Sequence, residues 1–182
     1  MKSQIQFRVG FIILMVFTLV SCTKKDSGVI LPKLVENHFD PHSLKIDDKN
    51  SIKKIRGQVL YLPIYSNIPY YGDFKKIDLS AFIAIHNTDI KYPITITKVL
   101  YFNNDGKLVA NYLQKDTTIH PFGATNFYVP TRDQSGTGAN FLIEWVSDSL
   151  VNEPLIESVM IGLATGQGVS FLSTGKVLRE LR

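Results

Sequence analysis

The chain has 182 residues, a formal net charge of +4, 45% hydrophobic and 20% charged side chains, and a single cysteine. That length holds one domain with a real core, and one cysteine excludes an intramolecular disulfide, so stability must come from packing. Lys2 and Arg8 account for half of the excess charge; without them it is +2, which gives no reason to expect a nucleic-acid partner.

The first segment is an address. Met1 to Arg8 carries two basic residues, Val9 to Val20 is a nearly unbroken apolar run of twelve, and Ser21-Cys22 closes it. A membrane-spanning helix needs about 20 apolar residues, so the run is too short to span. Phe17-Thr18-Leu19-Val20-Ser21-Cys22 resembles the lipobox of bacterial lipoprotein signal peptides. That resemblance implies cleavage after residue 21, a diacylglycerol on the Cys22 sulfur and acylation of its new amino group. Several acyl chains on one residue hold a protein firmly on a membrane surface, so residues 22–182 are expected in the cell envelope. Thr23, where retained lipoproteins carry Asp, implies the outer membrane; Lys24-Lys25-Asp26 leaves both the periplasmic face and the cell surface open.

Residues 22–56 mix Lys, Asp, Ser and Pro with only short apolar patches such as Val29-Ile30-Leu31. Such composition does not offset chain entropy, and the segment reads as a tether with a reach on the order of 30 Å. His38-Phe39-Asp40-Pro41-His42 within it has metal-ligand residue types. Pro41 breaks the helical spacing that would align the two histidines, so loop residues and no metal site are expected.

From residue 57 to about 180 the pattern becomes period-two, with turn residues every eight to twelve positions, which predicts an all-β, immunoglobulin-like antiparallel sandwich of about seven to eight strands. Gln58 to Tyr65 is the first, with Pro63 confining it to an edge or to an irregular end. Ile77, Leu79, Ala81, Ile83 and Ile85 form one core face, alternating with Asp78, Ser80, Phe82, Ala84 and His86. In Ile94 to Phe102 the apolar set slips register, which predicts a bulge near Lys98. Asn103-Asn104-Asp105-Gly106 predicts a tight hairpin into Lys107 to Tyr112. Further strands are expected over Ala124 to Val129, around Phe141, Ile143 and Trp145, from Leu155 to Leu163 and from Val169 to about Arg179. No segment after residue 22 has helical period.

Several blocks carry a resemblance. Ile85-His86-Asn87-Thr88-Asp89, Pro93 to Thr97, Asp105 to Val109, Gly138-Ala139-Asn140-Phe141, Glu144-Trp145, Asn152-Glu153-Pro154, Met160-Ile161-Gly162 and Gly166 to Phe171 are similar to bacterial domain-of-unknown-function family 3124, over Gly57 to Leu178. The resemblance implies a small envelope domain, often on a lipoprotein, without an assigned activity, and supplies no catalytic residues.

Catalytic motifs fail on their residues. Gly168-Val169-Ser170-Phe171-Leu172 lacks the final glycine of a nucleophile elbow, and Gly175-Lys176-Val177 lacks the Ser or Thr of a phosphate loop. No cofactor is expected. Glu144 and Glu157 interrupt apolar strands and, on neighbouring strands, would form an acid/base pair for a glycosidic bond. Glu157 shares parity with Leu155, Val159 and Ile161, which favours burial, whereas Glu144 lies opposite Ile143 and Trp145. Tyr65, Tyr70 and Tyr71, with Asn67 nearby, offer flat rings and an amide of the kind that bind sugars or peptides, or else cap the core. His86, Asn87, Asp89 and Asn140 sit at strand ends, where binding loops of sandwiches lie. The expectation is a lipid-anchored, non-enzymatic binding or assembly module with an envelope protein or glycan as partner. A hydrolase using Glu144 and Glu157, and a structural spacer, are the alternatives.

Overall fold

The computed structural model describes residues 33–38, 54–72, 75–164 and 166–181. The signal segment, Cys22 and Asp40 to His42 lie outside these. Among the described residues twelve strands are formed: β1 (Lys33–His38), β2 (Arg56–Pro63), β3 (Asn67–Tyr71), β4 (Lys75–His86), β5 (Ile94–Phe102), β6 (Lys107–Asn111), β7 (Thr117–Ile119), β8 (Ala124–Val129), β9 (Asn140–Ser147), β10 (Leu155–Ala164), β11 (Gln167–Thr174) and β12 (Lys176–Leu181). Part of the stretch expected as tether is therefore strand β1, antiparallel to β6.

The strands make two antiparallel sheets. The seven-stranded sheet runs β1-β6-β5-β9-β2-β12, with β7 also paired to β5; the five-stranded sheet runs β11-β10-β4-β3, with β8 also paired to β4. The all-β sandwich predicted from the period-two pattern is the fold. Its strands are more numerous than expected because β1, β3 and β7 are too short or too polar to show a period, and the pairing order does not by itself establish an immunoglobulin-like connectivity.

The inner faces of both sheets meet in one core. Leu62, Ile64, Leu79, Ile83, Ile85, Ile96, Phe141, Ile143 and Trp145 are fully buried in it. Tyr101 stacks on Phe141 at 4.8 Å between ring centroids, and Tyr112 meets Phe141 edge-on at 5.2 Å. Tyr101 donates its hydroxyl to Asp133 Oδ2 at 2.6 Å; burial first, and then that bond, push its phenol far above the ordinary tyrosine value.

Three local expectations are met. The β5–β9 register shifts between Ile96 and Lys98, which is the bulge that returns Val99 and Tyr101 to the buried face. Residues 103–106 turn β5 into β6, with Gly106 at φ 69° and Asn103 Oδ1 accepting from the Asp105 and Lys107 amides. Ile77 to Ile85 alternates buried with outward residues as predicted.

Of the two places that Pro63 allowed, an edge or an irregular strand end, the structure takes the second: β2 lies between β9 and β12, and Pro63 is its last residue. Two expectations are corrected. The segment from residue 169 to 179 is two strands, divided at Gly175: β11 pairs with β10 in one sheet and β12 with β2 in the other. The core face of β10 is Ile156, Ser158, Met160 and Gly162, so Leu155, Glu157, Val159 and Ile161 face outward.

Candidate functional site

The outer face of the five-stranded sheet departs from the inside-apolar, outside-polar pattern of a solvated sheet by leaving large apolar side chains exposed, whereas the apolar set on the outer face of the seven-stranded sheet, Val59, Phe102, Leu142, Val146 and Leu181, is buried in a small cluster of its own. Val159 on β10 lies opposite Phe82 on β4 and Leu172 on β11, and Phe82 lies opposite Tyr128 on β8. Directly opposed residues share a face, so Leu172, Val159, Phe82 and Tyr128 form one row across four strands. Phe82 is 42% and Tyr128 46% exposed, and Leu155, Ile161 and Leu163 extend the apolar surface along β10. An exposed apolar surface of a few hundred Å² is the scale at which a contact site is indicated.

A groove of about 530 Å³ opens at one end of this face, lined by Tyr70, Lys76, Asp78, Ser80, Thr131, Ile161 and Leu163, a volume that suits a small ligand. Its origin is in the pairing. β4 is twelve residues long, and on one flank it is shared by two shorter strands, β3 opposite residues 75–78 and β8 opposite residues 81–86. The gap left between them at Leu79-Ser80 is flanked by Asn67 of β3, opposite Asp78, and Val129 of β8, opposite Ala81, and Tyr70 and Thr131 line the groove beside it. The Leu79 amide is satisfied by the Ser66 carbonyl at 2.8 Å, so the gap does not cost a bare donor. Tyr70 is 45% exposed, which presents an accessible ring beside the polar lining. Ser80 donates to the Ile161 carbonyl at 3.3 Å. The Lys76 and Asp78 side chains have no hydrogen bond or ion pair to another described residue, although their backbones belong to the β3–β4 ladder. Asn67, opposite Asp78 and on its face, has a buried Oδ1 without a hydrogen-bond partner among the described residues.

Of the residues singled out in the sequence, Tyr70, His86 and Glu157 come to this outer face; His86 is half-buried opposite Leu155, and Glu157 half-buried opposite Ala84. Tyr65 does not: its ring packs on Phe171 at 5.8 Å against the core. Tyr71 ends β3. Asn140 begins β9, half-buried, with its amide 3.5 Å from the Gly138 carbonyl.

Glu144 is buried on the outer face of the other sheet, where Lys98 Nζ lies 3.0 Å from Oε2 and Thr97 donates to Oε1 at 2.7 Å. The core therefore separates Glu144 from Glu157, and the paired-carboxylate arrangement is not formed. The parity argument for Glu157 failed because both faces of β10 carry apolar residues.

Asn87 and Asp89 are structural. The Asn87 amide donates to the carbonyls of Tyr92, Ile119 and His120 at 2.9, 3.1 and 3.2 Å, and its Oδ1 accepts from the Asp89 amide at 3.0 Å. Asp89 accepts from the amides of Lys91 and Tyr92 at 2.8 Å and of Asn152 at 2.9 Å. These amides, Tyr92 first, then Asn152 and Lys91, hold its carboxyl below the ordinary aspartate value. Thr88 adds a bond to the Glu153 carbonyl at 2.6 Å, and Arg56 reaches Glu153 Oε1 at 2.8 Å. The Asn87 and Asn152 segments are thus clasped together, which accounts physically for both blocks. Thr131 opens the polar loop from Thr131 to Asn140, which its place at a strand end marks in the sequence as a candidate binding loop, and it lines the groove. Phe82, Tyr128, Lys76 and Asp78 were not singled out from sequence; Phe82, an aromatic on the polar side of an alternating strand, was the available signal.

A family profile described as protein of unknown function (DUF3124) matches residues 57–178, from β2 into β12. The chain belongs to the DUF3124 family. A search of curated proteins gives this DUF3124 chain no match. Among solved structures it is similar to the crystal structure of Thermotoga maritima 1070, at 12% identity and a TM-score of 0.41, over 65% of this chain and 92% of that one. Among its described residues no helix is long and apolar enough to cross a membrane, and no group of three metal-ligating side chains occurs.

Proposed function

We propose that this DUF3124 protein is a lipid-anchored, non-enzymatic binding module of the bacterial cell envelope, held to the membrane through Cys22, and that its partner is a glycan lying on the outer face of the five-stranded sheet. The observation that carries the reading is the set of exposed rings, Tyr70, Phe82 and Tyr128, beside the unbonded polar side chains Lys76 and Asp78 on one sheet face. Flat rings offer contact area at low entropic cost, and sugar rings present C–H faces with polar edges. A groove that is half apolar and half polar suits that chemistry better than it suits a lipid tail, which would strip water from Lys76 and Asp78 without compensation. The separation of Glu144 from Glu157 weighs against the hydrolase, and the apolar row weighs against a bare spacer.

The test uses the full-length lipoprotein in a detergent without a sugar headgroup. Co-sedimentation with insoluble cell-wall glycan, and retention on immobilised envelope polysaccharide, are expected for the wild type and reduced about tenfold or more for Phe82→Ser with Tyr128→Ser. Equal retention of that variant, or no retention of the wild type on either material, overturns the reading. Labelled palmitate is expected to enter the wild type and not Cys22→Ala; label in both would remove the anchor.

A further inference from the structure

The groove's chemistry narrows the ligand beyond a glycan in general. We infer that it takes a 2-acetamido sugar, a step that rests on the glycan-binding reading above. The pyranose face stacks on the Tyr70 ring. An acetamido group has one donor, one acceptor and a methyl, and the groove supplies a counterpart to each. The Asp78 carboxylate accepts from the amide N–H, the Lys76 ammonium donates to the carbonyl, and Ile161 with Leu163 takes the methyl. The Thr131 hydroxyl remains for a ring hydroxyl.

Other ligand classes meet an obstacle at the same residues. An anion that pairs with Lys76 is opposed by Asp78, and a divalent cation finds a single carboxylate in the lining. A peptide adding as a strand needs an open backbone edge, whereas the β4 flanks are taken by β10 on one side and by β3 and β8 on the other. A plain hexose has a hydroxyl in that place, which can reach Asp78 or Lys76 but not span both as an amide does, and it leaves the apolar wall of Ile161 and Leu163 without a methyl. Discrimination between the two sugars is the signature of the site.

The experiment is calorimetric titration of the full-length protein in the same detergent with chitotetraose, and in parallel with cellotetraose, which has a hydroxyl where chitotetraose has the acetamido group. Chitotetraose is expected to bind at least about tenfold more tightly. Tyr70→Ala and Asp78→Ala are each expected to weaken it about tenfold or more, while Lys115→Ala, remote from the groove, leaves it unchanged. Equal binding of the two sugars, or chitotetraose binding that survives both groove variants, overturns the acetamido assignment and leaves the glycan reading standing. Failure of both tetramers together with failure of the sedimentation assay removes both. Competition of bound chitotetraose by soluble cell-wall glycan strands or by delipidated surface polysaccharide identifies the source.

Discussion

Asn87→Ala is the most demanding test of the account of the loop that follows β4. The side chain is 2% exposed, its two amide protons are shared among three carbonyls, and its oxygen holds the Asp89 amide. Three hydrogen bonds at about 0.5–1.5 kcal/mol each give roughly 3 kcal/mol, and the buried carbonyls left behind push the cost toward the upper end. With an unfolding entropy of about 2.1 cal/mol/K per residue, a domain of roughly 125 residues has about 260 cal/mol/K. A loss of 3 kcal/mol therefore lowers the midpoint by about 11 °C. Asn87→Asp should be worse than Asn87→Ala, because it aims a carboxylate at three carbonyl oxygens. Urea and thermal unfolding by circular dichroism measure both. A shift below about 3 °C for either variant would show that solvent replaces these bonds and that the loop is not held by Asn87.

Asp89→Asn reads the same clasp through pH. The Asp89 carboxyl is depressed in the folded protein, so its contribution is fully present above the ordinary value of 3.8 and is lost as pH falls through the depressed folded value. Urea midpoints at pH 7 and pH 3 should therefore fall further in the wild type than in Asp89→Asn. Lys98→Met leaves Glu144, whose side chain is 3% exposed, without its cation. The expected loss is about 3 kcal/mol, largely recovered by adding Glu144→Leu, and a double-mutant cycle of urea midpoints checks it. Gly57→Ala places a methyl 2.5 Å from the Trp145 carbonyl oxygen. Because backbone must move, it should cost about 1–3 kcal/mol in a thermal melt.

What the sequence made legible was what alternation alone determines. Ile77 to Ile85 and the slipped run over Ile94 to Phe102 each have one apolar set, so the inner face and even the bulge at Lys98 followed. β10 defeated the same reasoning, since Leu155, Val159 and Ile161 are as apolar as Ile156 and Met160. There the choice is made by size: a methyl on Gly162 would sit 2.6 Å from Leu79 Cδ2, so only the small residue fits inward. The groove was legible at Tyr70 and at Thr131, the start of a polar loop at a strand end. Lys76 and Asp78 look in sequence like ordinary outward polar positions, and what makes them part of a site is that Tyr70, Thr131, Ile161 and Leu163 gather beside them. Asn152-Glu153 carried no local signal either, because its partners are more than sixty residues away at Thr88 and Asp89.

The passage of the chain from one sheet to the other at Gly175 has a bearing on how the molecule comes together. β12 closes onto β2, pairing Leu181 with Gly57, so the first strand matched by the family profile waits for the last before its outer edge is covered. Contacts of such sequence separation are slow to form. A chain cut before Lys176 would leave the flank of β2 open as a template for other chains. Since one continuous ribbon belongs to both layers, the layers are also coupled mechanically: prising β12 from β2 pulls directly on β11. Force applied to the C-terminal end is thus transmitted to the five-stranded sheet, while the proposed anchor lies at the opposite end of the chain.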